Sequence, residues 1–312
     1  MDKPRCCVCH QPFATADVQW LGGRPFCERH HALALEATDT HWSRAGLVET
    51  GLLAGFVGIV TLVFGSAPLP TDILSGAVLA VVPALIFLVF VYRQDRVEPE
   101  PAHLVIALFL VGGLLGASVV DPLSERLLSA DLMEYRSGIG AWVASIGVRG
   151  TLAVLFAYLA VRYTVYLTPE FDEPVDGIVY ATAAMLGMAT ASNVAMVTQH
   201  QGVLPVAGAT AMASTTLVSV ATGALLGYGL GRARFDAAAG QRWLTTAFGF
   251  AILVHGTLHE VVHWVAMVRG VFDPLLSFGV ALVLAAIVLA IAHFITARFA
   301  RRSLEDGTLA FN

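Results

Sequence analysis

Apolar runs of about 18 residues or more recur along this chain of 312 residues. Each is long enough to cross roughly 30 Å of hydrocarbon as a helix. The runs fall near 48–65, 72–92, 103–120, 139–162, 176–198, 205–230, 243–268 and 274–297. In lipid every backbone N–H and C=O has to be satisfied inside the chain, so runs of this length become helices. Composition agrees, with 57% hydrophobic and 13% charged residues, a balance foreign to soluble domains. The expectation is an all-α polytopic membrane protein of about eight transmembrane helices over 48–299, with a polar head at 1–47 and a short tail at 300–312. The opening stretch MDKPRCCVCHQPF lacks the apolar core of a signal peptide. The net charge of −5 resides in loops, and nothing points to nucleic acid.

Basic residues set the expected orientation, because cytosolic loops of membrane proteins are enriched in Lys and Arg. With eight spans, one side carries Lys3, Arg5, Arg24, Arg29, Arg44, Arg93, Arg96, Arg162, Arg232, Arg234, Arg242, Arg298, Arg301 and Arg302. The other carries only Arg126, Arg136, Arg149 and Arg269. Both termini are therefore expected in the cytosol. No internal repeat is evident, which disfavours a transporter built from inverted repeats.

All four cysteines lie in the head: Cys6, Cys7, Cys9 and Cys27. Cys6-x2-Cys9 and Cys27-x2-His30 are two ligand pairs on tight knuckles, a spacing that closes a tetrahedron of thiolates and imidazole around zinc. Gly23-Arg24-Pro25-Phe26 leads into Cys27 as a turn and strand would. Cys7, His10 and His31 are neighbours able to substitute. A disulfide framework does not suit the cytosolic side. A head this small has little core, so metal would supply its folding energy. Four filled positions make the zinc structural and leave the head a surface for a cytosolic protein partner.

Residues 259–263 read HEVVH, the HExxH string in which two His one turn apart hold zinc and the Glu acts as general base. His255, His259 and His263 recur every four residues and form one helical stripe, with Glu260 about 100° round the helix from His259. A charged Glu at this depth tends to face protein, water or a metal. A second zinc on His255, His259 and His263, with Glu260 as base, is one reading. Interhelical hydrogen bonding is the structural alternative. Site-2-type zinc proteases pair HExxH with a later Asp. Here the comparable PVDG (174–177) comes before HEVVH, and Asp273 lies in a loop.

Several segments in order resemble the PrsW-type intramembrane protease family. VYRQDRVEPEP (91–101) resembles its YxxDxxEPEP loop. The stretch from Glu170 to Val197, with DGIVY at 176–180, resembles its next signature. ALLGYGLG (224–231) resembles the small-residue end of the following span, and VHGTLH (254–259) the final His-bearing helix. The resemblance implies a membrane-embedded protease of the prenyl-protein protease superfamily, acting on membrane polypeptides such as anti-sigma factors in envelope signalling. It also implies a Glu-Glu pair, a further Glu before Asn, and His residues in the last two helices of the site.

This chain departs from that pattern residue by residue. The Glu-Glu pair would fall near 147–154, where the sequence is GVRGTLAV, and no acidic residue lies between Glu134 and Glu170. Arg149 stands there instead. Ser192 replaces the Glu, while Asn193 is kept. Ser219 replaces one His, and His255 retains the last. Two readings follow. The chain is a degenerate family member that binds a membrane substrate or partner without cutting it. Or the site is rebuilt around His255, His259, Glu260 and His263, with Asn193 at similar depth and Arg149 as an oxyanion or carboxylate partner. A metal or small-molecule transporter with a His-lined path is a third reading, for which other spans supply few polar residues.

Asp95, Glu98 and Glu100 read as part of an ordered loop, and Asp176 as a helix cap. Ser214, Thr215, Thr216, Ser219 and Thr222, with the GxxxG spacing of Gly223, Gly227 and Gly231, read as a helix-packing face. The segment 121–138 reads as an interfacial amphipathic helix outside the bilayer.

Overall fold

The computed structural model describes residues 5–6, 9, 11–12, 18–21, 24–65, 70–94, 100–129, 138–172, 174–236, 239–266 and 273–306. Two short strands, β1 (Gln19–Leu21) and β2 (Arg24–Phe26), pair antiparallel with Leu21 opposite Arg24. They lead into Cys27, as the sequence implies. Gly23 of the expected turn lies outside the described residues.

Among the described residues the other named elements are helices. They are α1 (Glu28–Phe64), α2 (Ile73–Gln94), α3 (Ala102–Leu115), α4 (Asp121–Ser129), α5 (Ile139–Ala144), α6 (Thr151–Thr164), α7 (Pro174–Gln199), α8 (Pro205–Phe235), α9 (Gly240–Ala266) and α10 (Pro274–Asp306). Two π-helical segments, Gly116–Val120 and Ser145–Gly150, join α3 to α4 and α5 to α6 without a break. Four of the resulting rods are long and apolar enough to cross a membrane: Ala102–Leu128, Ile139–Thr164, α7 and α8. Shorter apolar stretches occupy α1, α2 and α10 at Gly51–Phe64, Ile73–Val89 and Pro274–Ala290. The 27 residues of α9 include three His and a Glu, which lower its hydropathy.

Local signals account for the helix ends. Gly65 closes α1 with φ +53° and donates its N–H to the Thr61 carbonyl at 2.8 Å. Asp72 precedes α2 and accepts hydrogen bonds from the Ser75 N–H and hydroxyl, each at 2.9 Å. Those bonds, the backbone one foremost, hold its carboxyl below the ordinary aspartate range. Pro205 opens α8, where its missing N–H costs nothing.

Three element boundaries differ from the sequence expectation. The helix α1 begins at Glu28 inside the expected head, and α10 runs on to Asp306. Residues 121–129 continue the preceding helix through the Gly116–Val120 π segment and do not form a separate interfacial helix. The polar run DPLSER suggests a span end, but helix propagation past the π segment carries the chain on. Residues 130–137, the remainder of that expected helix, and 307–312 of the tail lie outside the described residues.

The helix α8 is the centre of the bundle: 89% of its most apolar stretch is buried, against 28% in α3–α4. It lies against α7, and their backbones touch at Gly227 and Gly177. A Cβ on Gly227 would sit 2.2 Å from the Gly177 carbonyl oxygen, so only glycine fits. The GxxxG face expected from sequence is this contact. The hydroxyls of Ser214, Thr215, Thr216 and Thr222 bond back to carbonyls four residues earlier, which lets polar side chains pack between helices.

Loops tie the bundle at both ends. At one end Thr71 and Val203 exchange backbone and hydroxyl bonds of 2.8–3.3 Å. At the other, buried Glu100 accepts a hydrogen bond from the Tyr180 hydroxyl, joining the EPEP loop to α7. The buried Asp176 carboxylate reaches back to the Asp172 N–H at 2.8 Å, a capping contact like the one expected. Asp95 and Glu98 lie outside the described residues.

Gly227→Ala forces α7 and α8 apart and is expected to destabilise the protein by about 1–3 kcal/mol. Gly55→Ala, where nothing lies within 4 Å of the added methyl, is expected to stay within about 0.5 kcal/mol of the parent. Thermal unfolding in detergent, followed by tryptophan fluorescence, compares the two.

Candidate functional site

Two clusters of chemistry-bearing residues stand apart in the fold. The first is the head. The donor atoms of Cys6, Cys9, Cys27 and His30 all lie within 4.8 Å of one another. Cys6 and Cys9 sit on a knuckle closed by the Cys6 N–H to the Gln11 carbonyl at 3.1 Å. Cys27 follows β2 directly, and His30 stands in the first turn of α1. His30 Nδ1 lies 3.2 Å from Cys27 Sγ and 3.5 Å from Cys6 Sγ. Cys6, Cys9 and Cys27 are not in disulfides. Convergence of three thiols and an imidazole nitrogen suits a tetrahedral metal ion, with no position left for a substrate. Of the expected substitutes, Cys7 and His10 lie outside the described residues, and His31 is not among the converging donors.

The second cluster is in the membrane domain, toward the end of the bundle that holds Thr71 and Val203. It is assembled by a close approach of α9 to the Ser145–Gly150 π segment. A Cβ on Gly256 would stand 2.4 Å from Ile146 Cα, and one on Gly150 would stand 2.5 Å from the Ile252 carbonyl oxygen. Ser145 adds a hydrogen bond to the Gly256 carbonyl at 3.1 Å. Backbone therefore meets backbone, and Arg149 is brought against the His stripe.

Arg149 Nη1 lies 3.2 Å from His259 Nε2. A guanidinium only donates, so His259 accepts through Nε2 and carries its own proton on Nδ1. His255 Nδ1 lies 3.2 Å from Thr222 Oγ1 on α8. The Thr222 hydroxyl donates to the Val218 carbonyl at 2.7 Å, so His255 Nδ1–H is the donor to Thr222. His263 is exposed and Glu260 half-buried. Among the described residues neither forms a hydrogen bond or ion pair. The i, i+4 stripe expected of α9 is present, but its three imidazoles have three different surroundings.

Asn193 faces α8, donating from Nδ2 to the Met212 carbonyl at 3.4 Å. Its neighbour Ser192 turns toward α4, where its hydroxyl reaches both oxygens of Asp121 at 2.9 and 2.8 Å. Arg149 is close enough for its charge to act on Asp121 as well as on His255 and His259. Asp121 is the site residue the sequence reading missed. The signal available was an acid directly after an apolar run, and only the continuation of the helix through the π segment brings it inward.

With Arg149 donating to it, His259 Nε2 has no lone pair left for a metal ion in this arrangement, whereas His255, bonded to Thr222 through Nδ1–H, keeps its Nε2 open. Among the described residues only the head gathers three or more metal-binding donors within reach of one ion.

The model of a family described as PrsW family intramembrane metalloprotease matches residues 100–293. A Bacillus subtilis (strain 168) protein named Protease PrsW is 29% identical over 185 residues, covering 57% of this chain and 78% of the relative. The Geobacillus kaustophilus protein of the same name is 28% identical over 203 residues, covering 61% of this chain and 78% of the relative. The one from Oceanobacillus iheyensis is 26% identical over 189 residues, covering 58% and 80%. No solved structure matches.

Replacing Cys9 and Cys27 together by Ser removes two of the four converging donors of the head. The doubly substituted protein is expected to lose the metal ion that the parent retains after desalting, as counted by mass spectrometry of metal per chain.

Proposed function

Because this chain belongs to the PrsW family of intramembrane metalloproteases, we propose that it is a degenerate member that binds a membrane-embedded polypeptide without cutting it. The observation that carries this reading is the set of carboxylates at the membrane site. The segment from Glu134 to Glu170 contains no acid between its ends, and Arg149 occupies its centre. The carboxylate bonded into the site, Asp121, is engaged by Ser192. Peptide hydrolysis by a metalloprotease needs a metal-polarised water and a general base beside it. Glu260, the HEVVH candidate for the base, stands beside a His whose nitrogen is bonded to Arg149. Where family members supply metal chemistry, the residues of this site supply interhelical hydrogen bonds.

In this proposal all eight long helical rods cross a bacterial plasma membrane, both termini are cytosolic, and the role lies in envelope signalling. The head holds a structural zinc and docks a cytosolic protein partner. Its three thiols and imidazole are the donor set that zinc prefers. Its place at the start of α1 joins it directly to a helix that enters the membrane domain.

One observation favours a second reading, a rebuilt and active protease. Asp121 delivers a carboxylate to Ser192, at the position where the family resemblance expects a Glu. A cleavage assay separates the two. The full chain is reconstituted in liposomes with a panel of single-span polypeptides tagged at both ends. The binding reading expects every reporter to remain full-length. It also expects a photoreactive residue at Thr257, which is half-buried between His255 and His259, to crosslink an uncut membrane polypeptide in cells. Chelator-sensitive fragments that vanish with Asp121→Asn or His259→Ala would establish the active reading.

A further inference from the structure

The Arg149 side chain is held by more than its own hydrogen bond. It projects from a six-residue π segment whose backbone touches α9 at Gly150 and Gly256. The Ser145 hydroxyl locks the same contact from the other side. Helix packing thus sets the backbone from which the half-buried Arg149 side chain reaches His259. π segments widen a helix by one residue per turn and recur at functional sites. Here one such segment carries Arg149, and the other delivers Asp121.

We propose that the Arg149 guanidinium, bonded to His259, stands in the position of a cation in this membrane site and bars a metal ion from it. Three observations support the assignment. The donor at His259 Nε2 is a fixed positive group at 3.2 Å, which takes the lone pair a metal would use. The residue types are ones a metal takes, since His255 and His259 lie one turn apart on α9 and the Asp121 carboxylate comes from a neighbouring helix, but with Arg149 present these donors do not converge as those of the head do. The charge balance is also suited to low dielectric, since Arg149 and Asp121 offset one another whereas an added divalent ion would leave the site strongly positive. The inference deepens the reading of a non-cleaving site and rests on the same residues, but it concerns metal occupancy, which is measured without any activity.

The experiment counts zinc per chain by mass spectrometry on the full, detergent-purified protein after equilibration with zinc and desalting. The head is left intact, so its metal is common to every sample and only differences matter. Arg149→Met, which keeps the length and removes the charge, is expected to gain one zinc over the parent. Arg149→Lys, which keeps the charge, is expected to gain none. Arg149→Met with His259→Ala is expected to return to the parent count. With cobalt(II) in place of zinc, the thiolates of the head are expected to give every sample a visible band, and Arg149→Met is expected to show an additional one. Two results would overturn the proposal. One is a parent protein that loses a zinc on His259→Ala, because the site then already holds a metal beside Arg149. The other is an Arg149→Met protein that elutes as the parent does yet gains no metal. If Arg149→Met does not fold, the comparison of parent with His259→Ala decides: equal counts support the proposal, and one fewer in the variant overturns it. Reporter cleavage with unchanged zinc counts would sink the non-cleaving reading and leave this one standing.

Discussion

The structure depends on backbone-to-backbone contact between helices. Lipid gives apolar side chains no reason to leave it for one another, so helices in a membrane associate through close packing and interhelical hydrogen bonds. Gly177 against Gly227 brings α7 onto α8, and Gly256 with Ser145 brings α9 onto the Ser145–Gly150 segment. The positions of Arg149, His255 and His259 follow from contacts of this kind. Arg149 meets His259, and His255 meets Thr222, only while α9 lies this close to both neighbours.

Polar groups within hydrocarbon are costly unless each has a partner, and the membrane site obeys this rule through pairs that cross helix boundaries. Asp121 of α4 bonds Ser192 of α7, His255 of α9 bonds Thr222 of α8, and Arg149 bonds His259. Each pair also pins two segments together. Glu260 and His263, without such partners among the described residues, stand half-buried and exposed. The chain separates its two kinds of site accordingly. Donors that converge on one point lie in the head, and donors already bonded to one another lie in the membrane.

Much of this was legible in the sequence because it rests on local pattern. Apolar length marks the helices, and the spacing of Gly223, Gly227 and Gly231 marks the α7–α8 contact. The Cys6-x2-Cys9 and Cys27-x2-His30 pairs mark the four donors that converge in the head. What escaped depends on geometry that no short pattern encodes. Residues 121–129 are polar, so a reading by hydropathy ends the span at 120. The helix nonetheless continues through a π segment, whose extra residue rotates everything after it by about 100°. That rotation is part of how Asp121 reaches Ser192. Equally hidden was the small-residue contact of Gly150 with Gly256, because the two glycines lie far apart in sequence and neither sits in a repeated motif.

HEVVH shows the same limit from the opposite direction. Its spacing fixes which side chains share a helical stripe, and α9 presents that stripe as expected. Spacing does not fix what stands opposite. A zinc protease needs a further ligand and open coordination facing the two His, but α9 faces a guanidinium at one imidazole and a threonine hydroxyl at another. The residue that decides between the two outcomes is Arg149, more than a hundred positions away in the chain. Its identity carries the functional distinction: an acid there would draw a cation to the His stripe, whereas an arginine supplies the positive charge itself. The chemistry open to a helix carrying HExxH is therefore set by the charge that the next helix places against it.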